Sequence, residues 1–394
     1  MKQICIKKWL LLLFFIFTLS LLPCRQLPAV APDINKRFES ELKELHEKYK
    51  FPGATAAYIL PDGSFEVFAV GLADIELGIP MSPDSRMLAA SIGKTFVGAE
   101  VLALVEDGLL NLDVPISKWL GDRGWFSRLP NHDKITLRHL LNHSSGLANH
   151  VESEDFIQSF NNNWWAPNDL FLPEKLIEFV LDLPALFDAG EGWYYSDTNY
   201  ILVGLIIEKV TGRTYFDEIE RRFLIPLNMN FTEPSDDLEL SGLASGYISD
   251  EGPFNLPHKT TSEPGRLVWN PKIEWTGGGL ISNPGDLVIW AKALFEGRVF
   301  EGNYLDELLR PVEVSEDVHY GIAVGIHENG PLGRSYGHGG WIPGYCSSLR
   351  YYPEHGIAIA FQINTDIGIV DDSTSVVEDM EIGLAEVIIN SIEK

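Results

Sequence analysis

GHGGWIPGYCSSLRYYPEHGIAIAFQIN, residues 337–364, contains two short strand-like runs, 345–353 and 356–364, with a turn between them. Polar and apolar residues alternate along GYCSSLRYY, as they do in a strand. Just upstream, HYGIAVGIHE (319–328) and GRSYGHGG (333–340) have the same character. The matching signal lies near the other end of the chain. There ATAAYIL (54–60) and SFEVFAVG (64–71) flank Pro61-Asp62-Gly63, which reads as a hairpin. Between 110 and 310 the signals are mostly helical, as in Thr136–Asn142, Pro173–Asp182 and Asn199–Thr211, with Pro, Asn and Gly loops between them. Helical periodicity brackets the strands too. Phe38, Leu42, Leu45 and Tyr49 share one face of residues 37–50, and a closing helix is expected over roughly 373–392. Strands at both ends and helices in the middle predict an α+β arrangement, one sheet built from both termini with a helical lobe inserted. No repeat and no low-complexity linker marks a boundary, so residues 32–394 read as a single domain.

The chain has 394 residues, enough to bury a large core, and its composition is that of an ordinary globule. Residues 1–31 stand apart. Lys2, Lys7 and Lys8 precede an uncharged, largely apolar run, Trp9–Leu22, whose 14 residues fall short of the roughly 20 that span a bilayer. A basic start, a short apolar middle and the small residues Ala29 and Ala31 read as an export signal or N-terminal anchor, and hence as a periplasmic or secreted protein. Cys24 directly follows the run and is a candidate for lipid attachment, although Pro23 before it fits poorly. Cys346 is the only cysteine beyond the leader region, so no disulfide framework is expected. The formal charge is −26, and removing the four positives of residues 1–31 leaves −30. Such a surface repels nucleic acid and anionic lipid. Because the acidic residues are dispersed, they read as a solvated surface.

Three stretches carry chemistry. In SIGKTF (91–96), Ser91 opens a helical pattern closed by Gly108, and Lys94 follows one turn later on the same side. Ser91 is either a helix N-cap or a nucleophile favoured by the helix dipole, with a desolvated Lys94 able to accept its proton. The same Ser-x-x-Lys spacing recurs at Ser40–Lys43 and Ser391–Lys394, so the motif alone decides little. In GEGWYYSDTNYILVG, a Gly-rich turn precedes Tyr195-Ser196-Asp197, and Tyr195 is a candidate proton relay. In YGHGGWIPGY, His338 ends a strand ahead of Gly339 and Gly340, which let a substrate or another backbone approach closely.

Taken together, Ser-x-x-Lys, Tyr-x-Asp and His-Gly-Gly in this order resemble the active-site serine penicillin-recognising enzymes, in the class C β-lactamase and DD-peptidase branch. That branch includes β-lactamase-like esterases and D-amino-acid peptidases. ITLRHLLNHSSGL and GGGLISNPGDLVIWAKAL resemble further segments of the family, and the likeness covers roughly residues 37–390. It implies an antiparallel sheet flanked by helices plus a helical lobe, with the site between them. It implies Ser91 as the acylated nucleophile, Lys94 as an aid to its deprotonation, Tyr195 as proton shuttle, and His338 in the place of a Lys or His of the third motif. The backbone N–H groups of Ser91 and Trp341 would form the oxyanion hole.

Two departures stand out. Asp197 occupies a position where relatives often have Asn, and an ionised carboxylate there would oppose Lys94 as a base or else hold it in place. Gly339 and Trp341 stand where penicillin-binding relatives usually carry hydroxyls that hold a substrate carboxylate. Arg350, on the next strand, is a candidate replacement cation. Asp197, Gly339, Gly340 and Arg350 are thus the expected substrate-binding residues.

His132, His139, His143 and His150 cluster in sequence, but no HExxH occurs and no metal is expected. No phosphate-binding glycine loop follows a strand in the required context, so no cofactor is called for. Trp164 and Trp165 are candidates to wall the cleft or to pack a loop. The leading expectation is an exported serine hydrolase that forms an acyl-enzyme on Ser91 and cleaves an amide bond, DD-peptidase- or β-lactamase-like, in a small molecule or short peptide. A carboxylesterase, a D-amino-acid peptidase and a non-catalytic ligand-binding or sensor domain are the alternatives.

Overall fold

Local pairing of the segments read above builds one large sheet, whose strands we label β1 (Gly53–Ile59), β2 (Phe65–Asp74), β3 (Ile79–Pro80), β4 (Val312–Ser315), β5 (Val318–Tyr320), β6 (Gly325–Gly330), β7 (Gly333–Ile342), β8 (Tyr345–Tyr352) and β9 (Ile357–Ile363). The computed structural model describes residues 32–163, 171–248, 252–366 and 376–393. The expectations for residues 1–31, including Cys24, and for Trp164 and Trp165 lie outside the described residues. Strand order is β3-β2-β1-β9-β8-β7-β6-β5-β4, antiparallel throughout. The two chain ends meet at β1 and β9, where Ala54 faces Ile363 and Ile59 faces Ala358.

Side-chain alternation sends each strand's residues to two different cores. From β1 and β9, Ala54, Ala56, Tyr58, Ile359, Phe361 and Ile363 pack under helices α1 (Pro32–Tyr49) and α5 (Val376–Ile392). Ala57, Ile59, Ala358 and Ala360 face the other way, into the core that continues through the lobe. Small side chains on that face let helix α4 (Pro284–Phe295) lie close to the sheet.

The lobe, chain between β3 and β4, is centred on helix α2 (Lys94–Glu106), which is buried on every face from Lys94 to Leu104. A helix apolar all round belongs inside a protein. Phe96 stacks on Trp290 at 3.9 Å, and the Trp290 indole donates to Thr95 Oγ1 (2.8 Å). Helix α3 (Asp197–Thr211) packs beside α2 and ends at Gly212, whose φ of 67° suits glycine. The sheet also fixes the turn ahead of α2. Gln362 Nε2 donates to Met87 O (3.0 Å), and Ser347 Oγ donates to Ala89 O (2.8 Å). No helix among the described residues is long and apolar enough to cross a membrane.

Candidate active site

Ser91 lies in a short 3-10 turn, Ala90–Gly93, that runs straight into α2. It does not cap the helix: no side-chain cap bond forms at either start, and Ser91 Oγ instead accepts from Lys94 Nζ at 3.0 Å. The turn is strained and wedged. Ala90 has φ of 48°, a left-handed conformation that costs a non-glycine residue about 1 kcal/mol or more. On one side, a Cβ added at Gly278 would come within 2.7 Å of the Ala90 carbonyl carbon. On the other, one added at Gly340 would come within 2.3 Å of Ala89 O. Gly340 is therefore a close-approach glycine that brings β7 against the serine turn.

Lys94 is fully buried and its ammonium has three acceptors for its three N–H groups. These are Ser91 Oγ, the carbonyl of Gly277, and Asp197 Oδ1 at 2.5 Å. The rings of Tyr195 and Tyr200 also lie about it, with centroids 5.1 and 5.3 Å away. Asp197, the first residue of α3, thus pairs with the lysine. In this arrangement Lys94 donates a hydrogen bond to Ser91 Oγ.

The start of α3 is stitched to residues 141–150. Ser196 N–H donates to His143 Nδ1 (3.1 Å), Asp197 N–H to Asn149 Oδ1 (3.1 Å), and Ser196 Oγ to Ala148 O (2.9 Å). The His143 ring lies tilted against Tyr195 with centroids 4.2 Å apart, and burial drives its pKa well below that of an ordinary histidine. Burial first, and then the Asp197 charge, pushes the Tyr195 phenol well above its ordinary value, which the nearby Ser91 only partly offsets. Its hydroxyl is buried and unpartnered. Tyr195 is therefore a protonated phenol with an uncommitted donor.

His338 lines the open cleft with Ser91 and Tyr195. Its Nδ1 donates to Gly339 O and its Nε2 accepts from the Tyr320 hydroxyl (2.8 Å), so both nitrogens are engaged. Burial, then the Lys94 charge, lowers its pKa to about 3. A neutral, internally bonded imidazole cannot hold a substrate carboxylate as a cation. Arg350 is not a free replacement either, because its Nε bonds Glu381 Oε1 at 3.0 Å. Gly339 and Gly340 lie on β7, where residues 338–342 pair with β8 alone, since the pairing of β6 with β7 ends at Gly325 opposite Gly337. The backbone edge there, including Trp341, is open on the side of Ser91.

Ser91 stands at the junction of two spaces. One is a cavity of about 130 Å³ walled by Phe156, Phe160, Phe254, Trp269 and Ile342, with Asp197, His150 and Glu274 on its surface. The other is an open cleft of about 670 Å³ that runs past Tyr195, His338 and Gly339 to Arg350. Asp197 and Trp341 line both.

Sequence reasoning missed Tyr320 and Glu274 and set His143 and His150 aside with the histidine cluster. The four histidines have separate surroundings: His139 closes a capping box with Thr136, and His132 bonds Leu129 O. Among the described residues no group of three metal-ligating side chains occurs. A usable signal existed in the quoted segments: His143 sits inside HLLNHSSGL, and Glu274 closely precedes GGGL.

An antiparallel sheet, an inserted helical lobe and a Ser-x-x-Lys turn between them define an active-site serine hydrolase. The Beta-lactamase family model matches residues 38–378, and the chain belongs to that family. Penicillin-binding protein 4* of Bacillus subtilis is 27% identical over 346 residues, 84% of this chain and 72% of that protein. D-aminopeptidase of Brucella anthropi is 27% identical over 78% of this chain, which spans only 55% of that protein's length. Among solved structures, a D-stereospecific amidohydrolase from Streptomyces sp. superposes with a TM-score of 0.74 at 27% identity, covering 88% of this chain and 99% of that one. The D-amino acid amidase from Ochrobactrum anthropi SV3, complexed with L-phenylalanine, gives 0.77 at 25% identity, covering 91% and 99%.

Proposed function

We propose that this chain hydrolyses the amide bond of a small substrate whose acyl half carries one apolar side chain, through transient acylation of Ser91. The observation that carries this reading is the junction at Ser91. A largely apolar cavity of about 130 Å³ is close to the roughly 150 Å³ that holds a benzene ring, so it suits one aromatic or branched side chain. The open cleft on the other side suits a leaving group of variable length. The likeness to two amidases and a D-aminopeptidase supports amide chemistry and a D-configured acyl half.

In this reading Ser91 Oγ attacks the carbonyl carbon. Its proton passes to the Tyr195 oxygen while Tyr195 gives its own proton to the departing nitrogen. No phenolate accumulates, in keeping with the raised pKa of Tyr195. Lys94 stays charged and stabilises the developing negative charge on Oγ. The backbone N–H groups of Ser91 and Trp341 receive the carbonyl oxygen. Water then reverses the sequence, returning a proton to Ser91 through Tyr195. Gly339 and Gly340 let the substrate lie against β7.

A substrate ending in a carboxylate is less supported, since His338 is neutral and Arg350 is paired. An esterase would use the same groups. Hydrolysis of D- and L-phenylalaninamide by the wild type and by Ser91→Ala separates these readings. Release of ammonia from the D form by the wild type alone is expected. Stable labelling by a fluorescent penicillin, or turnover of nitrophenyl esters without amide turnover, would replace this reading with a penicillin-binding peptidase or an esterase. From the pattern of residues 1–31 we also infer export to the periplasm or beyond, for which a mature N-terminus near residue 32 is the check.

A further inference from the structure

The small cavity beside Ser91 has an apolar wall interrupted by polar acceptors, two of which are buried and receive no hydrogen bond. Glu274 is held there by a loop folded onto α3. Its neighbour Trp275 has φ of 36° and packs its ring against Gly204, where an added Cβ would come within 2.6 Å of it. Glu274 Oε1 lies against Gly278, while Oε2 is buried with no hydrogen-bond partner.

His150 is the second acceptor. Thr198 Oγ1 donates to Ala148 O (2.9 Å), so its own proton is spent. His150 Nδ1, 3.2 Å from that hydroxyl, must then be the donor between them. This places the lone pair on Nε2, which is buried and unpartnered. Asp197, about one-fifth exposed and already paired through Oδ1 with Lys94, is the third acceptor and shares the cavity surface. The indole N–H of Trp341 is also unpartnered and bonds none of these acceptors. Unmet buried acceptors are costly and ask for donors from a ligand.

We propose that Glu274, with Asp197 and the His150 Nε2 lone pair, is a receptor for an ammonium group on the acyl half of the substrate. An –NH3⁺ group supplies three donors and a charge, matching three acceptors of which two are carboxyls. The substrate class is then an amide of a free amino acid, or a peptide with an unblocked N-terminus. Amino groups already acylated are selected against. This rests on the reading of the chain as an amide hydrolase and specifies which amides it takes.

The groups facing Glu274 set its protonation. Burial, and then Asp197, raise its pKa to about 8 against the pull of Lys94, with Tyr195 and neutral His150 close by. An arriving ammonium favours the carboxylate, so binding near pH 6 releases a proton. Affinity rises with pH towards 8 and falls once the ligand amine, with a pKa near 8, loses its own charge.

The test uses calorimetry on the full chain carrying Ser91→Ala, with both phenylalaninamide enantiomers and their N-acetyl forms. We expect one free amine to bind about 10- to 100-fold more tightly than its acetylated form, with proton release at pH 6.5. Adding the isosteric Glu274→Gln should reduce that ratio to within about 3-fold and abolish the proton release. Equal binding of amine and acetylated forms overturns the receptor, as does failure of both amines to bind. A preference that survives Glu274→Gln moves the receptor elsewhere. Amine-selective binding to Ser91→Ala without wild-type turnover would instead retain the receptor and sink the hydrolase reading, so the two failures are distinguishable.

Discussion

On α1, Ser40 and Lys43 stand in water. Ser40 donates to Glu44 (3.2 Å), and Lys43 pairs with Glu39 (2.6 Å). At the head of α2, Ser91 and Lys94 have the same spacing, but the lysine is fully buried and its partners are that serine plus a carbonyl and a carboxylate from two other stretches of chain. The exposed pair is screened and worth at most a few tenths of a kcal/mol. The buried pair sits in low dielectric, where each charge and dipole counts for far more. Spacing places two side chains on one side of a helix. Whether they do chemistry depends on what the rest of the fold brings to them.

That contrast can be broken in three ways. The largest effect is expected from Lys94→Met, which should cut kcat by about 10²–10³-fold, while Lys43→Met leaves turnover unchanged in the same assay. Comparable losses at both positions would end the distinction.

Removing the acidic partner comes next. Asp197→Ala leaves a buried ammonium without its counter-charge and should cost about 3 kcal/mol in urea unfolding. Glu39→Ala should stay within about 0.5 kcal/mol. Equal costs would mean that the Lys94 site is wetter than the structure describes.

The smallest effect is a pH dependence of stability. His338 and His150 have folded pKa values lowered to about 3 and about 4, against 6.5 unfolded. Between those values the unfolded chain binds more protons, so stability falls as pH drops below about 6.5 and levels off near 3. Melting temperatures from pH 7 to 3.5 check the sign. Replacing both with Gln should reduce this slope, whereas a slope left intact would assign it to His143 and to carboxylates.

Much of the fold could be read in the sequence because strand and helix periodicities are local. The runs at 54–71 and 319–364 pair as one sheet, and Thr136, Gly108 and Gly212 mark helix ends through cap and turn chemistry. The three motif segments converge on Ser91. The electrostatics could not be read in this way. Tyr320 reaches His338 from 18 positions away and takes the nitrogen that a substrate would need. Glu381 neutralises Arg350 from a different element. Glu274 carries no periodic signal and becomes notable only once its carboxyl is buried beside Asp197 and Lys94. Such pairings depend on register and on packing between elements, to which local patterns are blind.

The role of Ser91 is tested most directly by trapping its acyl group. The full chain is mixed with an activated ester of D-phenylalanine, quenched in acid, digested and mapped by mass spectrometry. A single phenylalanyl adduct on the peptide carrying Ser91, absent in Ser91→Ala and with Ser40 unmodified, is the predicted result. An adduct on another residue, or the same adduct in Ser91→Ala, would contradict it.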